Sequence, residues 1–103
     1  MKVIYTDEAL RDLDEILAFI ELNYPTILAA FEKRLRSVEQ RIGRRPKSAE
    51  EVEQRPGVRV VPFIRYPYKL FYQIANGVIE VLHIHHAARR EPWENERSPQ
   101  EPT

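Results

Sequence analysis

Asn76-Gly77 stands between two runs rich in β-branched and aromatic residues, Tyr68–Ile74 and Val78–His85. Both residues of that pair tolerate positive φ, which the tight two-residue turns of β-hairpins require. The dipeptide therefore joins two antiparallel strands and fixes their register. Counting outward from the turn, Ile74 faces Ile79, Tyr72 faces Val81, Phe71 faces Leu82 and Lys69 faces Ile84. A two-stranded hairpin is barely stable alone, so the rest of the chain must supply a layer that covers it.

The N-terminal half has the pattern of such a layer. Val3-Ile4-Tyr5 reads as a short strand. Thr6 is placed to cap a helix, with Asp7 and Glu8 suited to the positive end of its dipole. Leu10, Leu13, Leu17 and Ile20, widened by Ile16, recur at spacings of three and four, which predicts an amphipathic helix ending near Leu22. Asn23-Tyr24-Pro25 breaks it, and Pro25 suits the first turn of a second helix. Leu28, Phe31, Leu35, Val38 and Ile42 form that helix's apolar face, and Gly43 is its expected stop. The short link makes the two helices an antiparallel hairpin. Residues 46–57 read as loop, with a short helical turn over Ser48–Glu53 as the alternative. Val58–Phe63 is a strand that Pro62 pushes toward an edge or an end. The expected fold is α+β, in the order β-α-α-β-β-β: a two-helix antiparallel hairpin packed on a small, mainly antiparallel sheet. Residues 1–93 make one domain, and the polar residues 94–103 are expected to be a disordered tail.

Composition narrows the function classes. A chain of 103 residues holds one modest core. The absence of cysteine excludes disulfides and cysteine-ligated zinc. No apolar run is long enough for a bilayer span, and the N-terminus turns acidic where a signal peptide is apolar. A cytoplasmic protein with no membrane partner is expected. The formal net charge is zero, which argues against strong non-specific nucleic-acid binding. The charge is nonetheless uneven. Residues 32–47 carry Lys33, Arg34, Arg36, Arg41, Arg44, Arg45 and Lys47 against Glu32 and Glu39.

The polar end of the last strand, HIHHAARREPW, holds every histidine of the chain. Alternation puts His83 and His85 on one face and His86 on the other. Two alternating histidines can hold a metal, but the only nearby acid, Glu80, falls on the opposite face. No metal site and no cofactor are expected. His83 and His85 read as core or edge residues satisfied by hydrogen bonds, and His86 as the functional one, because imidazole titrates near neutral pH. Phe71 and Tyr72 read as core among the aromatics Tyr66, Tyr68, Phe71 and Tyr72, and Trp93 as a cap packed over the sheet end. Lys69 is placed on the same face as Ile84 and His86.

Three stretches together carry a resemblance: VIYTDEALRDLDEILAFI, the break NYP followed by AAFEKRL, and RYPYKLFYQIANGVIEVLHIHHAARR. In this order the chain resembles the RelE/ParE superfamily of bacterial type II toxins over residues 2–93. The resemblance implies the same α+β fold, and a toxin held in check by a cognate antitoxin with an acidic C-terminal segment. Arg34, Arg41, Arg44 and Arg45 are the expected antitoxin contacts. ParE-like members inhibit DNA gyrase; RelE-like members cleave mRNA on the ribosome. Carried over position by position, two cationic places of the nuclease branch fall on Lys69 and Arg89. Its strand lysines fall near Val60 and Pro62, and its C-terminal tyrosine near Asn95, none of which can move a proton. The RYPY wording and the HAAR segment favour ParE, with Arg65, Lys69, His86, Arg89 and Arg90 as target contacts and no chemistry by the toxin itself. The alternatives are a metal-independent, ribosome-dependent endoribonuclease using Lys69, His86 and Arg89, and a non-toxic antitoxin-binding corepressor.

Overall fold

In this computed structural model, residues 1–88 are described. In chain order they form β1 (Val3–Tyr5), α1 (Asp7–Asn23), a single 3-10 turn (Pro25–Ile27), α2 (Leu28–Arg44), β2 (Glu50–Glu51), β3 (Val58–Pro62), β4 (Tyr68–Ala75) and β5 (Val78–His86). The sheet order is β1-β5-β4-β3-β2. β1 runs parallel to β5, and the other pairs are antiparallel. Both helices pack on one face of this mixed sheet, so the α+β architecture is the one the sequence implies. Among the described residues no helix is long and apolar enough to cross a membrane.

The local causes are mostly those the sequence announces. Thr6 caps α1, its hydroxyl accepting from Ala9 N–H at 3.1 Å. The same hydroxyl donates toward the Val81 carbonyl at 3.0 Å, which pins the start of α1 to β5. Pro25 opens the 3-10 turn before α2. Asn76 and Gly77 take φ of 53° and 77°, the left-handed pair that the tight turn demands. On α2 the expected face is buried: Phe31, Leu35, Val38 and Ile42. Phe31 is the aromatic centre of the core. It stacks on Phe63 at 5.5 Å and meets Tyr66 and Tyr68 edge-on at 5.4 and 5.7 Å. Truncating such a fully buried ring to alanine costs about 3–5 kcal/mol.

Four expectations are corrected. On α1 the stripe is shifted: Ala9, Ile16 and Ile20 are buried, while Leu10 is exposed. The cap pins the first turn against β5, and that sets the rotation of the helix about its axis. Gly43 does not end α2, which runs on to Arg44. A Cβ at Gly43 would lie 3.1 Å from the Met1 carbonyl oxygen, so glycine there permits a close backbone approach. Residues 48–53 form no helical turn. Glu50 and Glu51 instead pair with Val60 and Arg59, and Val52 tucks under the open face of the sheet with Val58 and Phe71. Two contacts anchor this segment: the Tyr72 hydroxyl donates to the Pro46 carbonyl at 2.6 Å, and Arg59 Nη1 donates to the Ala49 carbonyl at 2.7 Å.

The fourth correction decides the geometry of the site. The hairpin register follows the turn as far as Tyr72↔Val81 and then shifts by one residue, so that Phe71 faces His83 and Lys69 faces His85. Leu82 is the extra residue of a β-bulge, which re-aims everything beyond it.

Candidate functional site at the far end of the hairpin

Without the bulge, strict alternation from Ile79 and Val81 would send His83 and His85 under the helices and Ile84 and His86 outward. With it, Ile84 is buried beneath α1 with the main core, and His86 follows Ile84 onto the helix-bearing face. His83 and His85 leave from the open face. Cross-strand partners share a face, so Lys69, opposite His85, also stands on the open face, and Tyr68 stands with His86. Lys69 and His86 therefore project from opposite faces of the sheet end. The expectation that Lys69 shares a face with Ile84 and His86 fails because one residue was added to the count.

His86 is exposed and meets the Tyr68 ring edge-on, with centroids 5.5 Å apart. Its Nδ1 accepts from the Ala88 N–H at 3.1 Å, and the Ala87 N–H donates to the Pro67 carbonyl at 2.6 Å. An accepting Nδ1 puts the proton of the neutral ring on Nε2, so that edge presents a donor. Burial pushes the Tyr68 phenol above its usual range, and it stays neutral beside the imidazole. The two rings and Ile84 border a cavity of about 230 Å³ together with Asp12, Glu15, Ile16 and Phe19 of α1. Phe19 is 51% exposed, a large apolar ring beside a polar rim. It escaped the sequence reading because it lies outside the apolar stripe of its helix. An aromatic residue on the polar face was the signal that could have found it.

On the open face, the Lys69 ammonium lies 5.8 Å from the centroid of Phe71, within cation–π range. Arg65 has φ of 77°, a backbone conformation that costs a non-glycine residue about 1–2 kcal/mol. It borders a cavity of about 250 Å³ with Ala30, Lys33, Arg34, Ser37 and Tyr66. Arg65 is thus grouped with Arg34 of α2, although the sequence reading assigned those two arginines to different partners. Arg41 is exposed near the Tyr72 phenol. Burial raises that phenol's pKa, while the Arg59 and Arg41 charges pull it down. Arg44 and Arg45 border separate hollows beside Met1 at the end of α2. The expected antitoxin contacts therefore run from Arg34, in the first half of α2, to Arg45, just past its end. Arg89, Arg90, Trp93 and the tail lie outside the described residues.

A further group assembles where β1 ends. β1 covers β5 only from Ile79 to Val81. Just beyond, Asp12 Oδ2 of α1 accepts the Ile84 N–H at 3.1 Å. The same oxygen lies 3.5 Å from His83 Nδ1 and 3.8 Å from His85 Nε2. His85 is buried and sits edge-on to Phe71. The sequence reading lacked an acid for the two histidines because it looked along the strand. The fold brings one from the first helix instead.

The chain matches a protein family over residues 3–91, the ParE toxin of the type II toxin–antitoxin system, parDE. No curated protein matches it in sequence. Several solved structures share the fold. The chromosomal ParDE toxin–antitoxin system from P. aeruginosa aligns at a TM-score of 0.72 and 20% identity, over 84% of this chain and 95% of that one. The isolated E. coli RelE toxin aligns at 0.55 and 18% identity, over 95% of this chain and 96% of the other. The intact E. coli RelBE toxin–antitoxin complex aligns at 0.56 and 19% identity, over 85% of this chain and 98% of the other.

Proposed function

The chain belongs to the ParE toxin family of type II toxin–antitoxin systems, and on that premise we propose that it arrests growth by binding DNA gyrase. The contact surface is the far end of the β4–β5 hairpin, with Lys69 and His86 on its two faces, the Phe19 ring beside it, and Arg89 and Arg90 following in sequence. The toxin performs no bond-breaking step. It holds the enzyme in a state in which its DNA is cut and not resealed.

The family match over nearly the whole domain carries this reading. Three features support it against ribonuclease chemistry. Metal-free RNA cleavage needs a base and a cation converging on one phosphate. Here His86 and Lys69 leave opposite faces, and Nδ1 of His86 is already accepting a hydrogen bond. The places where the nuclease branch carries strand lysines fall near Val60 and Pro62 of β3, which offer neither charge nor proton.

Neutralisation fits the second basic surface. A cognate antitoxin with an acidic segment would lie along α2, meeting Arg34, Arg41, Arg44 and Arg45, with Arg65 added at the Arg34 end. Such a segment orders on contact.

The purified full chain, added to gyrase, ATP and relaxed plasmid, is expected to block supercoiling and accumulate cleaved DNA while leaving ribosome-bound mRNA intact. Normal supercoiling together with cut mRNA would transfer the protein to the nuclease branch. Harmless expression without antitoxin would leave only the corepressor role.

A further inference from the structure

We propose that Asp12, His83 and His85 form a binding site for a zinc-class divalent metal ion at the open edge of β5. The three side chains offer one carboxylate oxygen and two imidazole nitrogens, all within 4.8 Å of one another. Two separations within that group, 3.5 and 3.8 Å from Asp12 Oδ2, are long for hydrogen bonds. Ligands sharing a tetrahedral zinc ion at bonds of about 2.0 Å stand about 3.3 Å apart. Those two separations therefore need a few tenths of an ångström to close, and the third about 1.5 Å at most. The His83 side chain is 28% exposed, so its ring has room to turn toward the other two ligands.

The fold prepares this site in three ways. The Leu82 bulge turns His83 and His85 out from beneath the helices while keeping them on one face. The end of β1 leaves the β5 edge uncovered where a helix side chain can reach it. Thr6, bonded to the Val81 and Leu82 carbonyls at 3.0 and 3.2 Å, fixes the start of α1, and the Ile84 N–H fixes the Asp12 carboxylate. A ligating carboxylate held by a backbone donor is oriented before the metal arrives.

The donor set selects the ion class. Two imidazoles and one carboxylate suit zinc and its first-row neighbours, whereas magnesium and calcium prefer all-oxygen shells. Metal ligation takes imidazole as the neutral ring and carboxylate as the anion, so the donor set brings one negative charge to a dication. His83 is partly exposed, so water completes the shell. The bound ion would tie α1 to β5 and add positive charge next to His86 and Lys69. The proposal stands on this geometry alone, independent of the gyrase reading.

The test uses the full chain, free of any histidine tag and stripped with a chelator. Zinc titrated by calorimetry is expected to bind at one equivalent. A hundredfold excess over Kd should raise the melting temperature by about 10–15 °C. Cobalt in its place should give the visible absorption of a four-coordinate site. Asp12→Asn keeps an acceptor for the Ile84 N–H and removes the charge, and His83→Gln alters a partly exposed ring. Each should weaken zinc at least tenfold with circular dichroism unchanged, whereas His86→Gln should leave zinc affinity as it was. Affinity no better than about 1 mM overturns the proposal. So does undiminished binding by both Asp12→Asn and His83→Gln, or a loss confined to His86→Gln.

Discussion

The His86 ring stands at 80° to the Tyr68 ring, edge to face, at the point where β4 begins and β5 ends. That contact orients an exposed imidazole without burying it. Aromatic pairs of this kind contribute about 0.5–1.5 kcal/mol. His86→Ala is therefore expected to cost about 1 kcal/mol of stability in urea denaturation. Growth arrest in a plating assay should fall at least tenfold. Equal loss of both, with arrest restored by any stabilising substitution elsewhere, would make His86 a structural residue only.

Lys69, His86 and Arg89 together test the proposed target surface. Lys69→Gln, His86→Gln and Arg89→Gln combined should abolish gyrase inhibition. Antitoxin capture, which uses α2, should be retained in a pull-down. Undiminished killing by the triple variant would remove the hairpin end from the mechanism.

Arg65 offers a separation of stability from recognition. Glycine relieves a positive φ, so Arg65→Gly is expected to stabilise the fold by about 1 kcal/mol. The same change should weaken antitoxin binding and lessen its salt dependence. Arg34→Glu borders the same hollow, so the double variant should fall short of the sum of the two effects. Calorimetry at two salt concentrations reads all three quantities.

Tyr5 ties β1 to α2 by donating its hydroxyl to the Glu39 carboxylate. Burial first, then the Glu39 hydrogen bond and charge, push its pKa far above the ordinary phenol value of 10.0. The unfolded chain ionises Tyr5 near pH 10 while the folded chain does not. Its stabilising contribution is therefore full below about pH 10 and is lost as pH rises beyond it. Tyr68 and Tyr72 are shifted in the same direction and persist in a Tyr5 variant. Tyr5→Phe should cost about 1–2 kcal/mol at neutral pH. It should also flatten part of the decline between pH 10 and 11, read from urea midpoints. An unchanged slope would mean that Tyr5 does not hold its proton in the folded state.

Deleting Leu82 would remove the extra residue and restore unbroken pairing between β4 and β5. Alternation from Val81 then leaves Ile84, 1% exposed, facing inward and His83 and His85 outward, as they already are. The expected cost is that of the lost Leu82 packing on the open face, about 1–2 kcal/mol, read by urea denaturation with amide dispersion in NMR spectra retained. A loss of more than about 3 kcal/mol would show that the bulge backbone itself holds the hairpin end together.

What the sequence made legible depended on short-range signals. The Asn76-Gly77 turn, the Thr6 cap and the α2 stripe each announce themselves within a few residues, and each is where it was expected. The bulge has no such signal. Leu82 is an ordinary strand residue, and only packing against α1 decides that Ile84 rather than His83 lies inward. β2 was missed because two glutamates have no strand propensity, and their pairing with Val60 and Arg59 is imposed from outside. Asp12 was missed for a related reason: it lies 72 residues from the Ile84 N–H it accepts, on a helix face that reads as solvated charge. The site thus appeared in outline from the clustering of cations near the C-terminus. Its two-sidedness followed from a single uncounted residue.

That two-sidedness limits the shape of whatever grips the hairpin end. Side chains on the two faces of one strand layer point apart, so a flat surface reaches Lys69 or His86 and not both. A partner that engages the pair must straddle the sheet, closing around it as a cleft around a wedge.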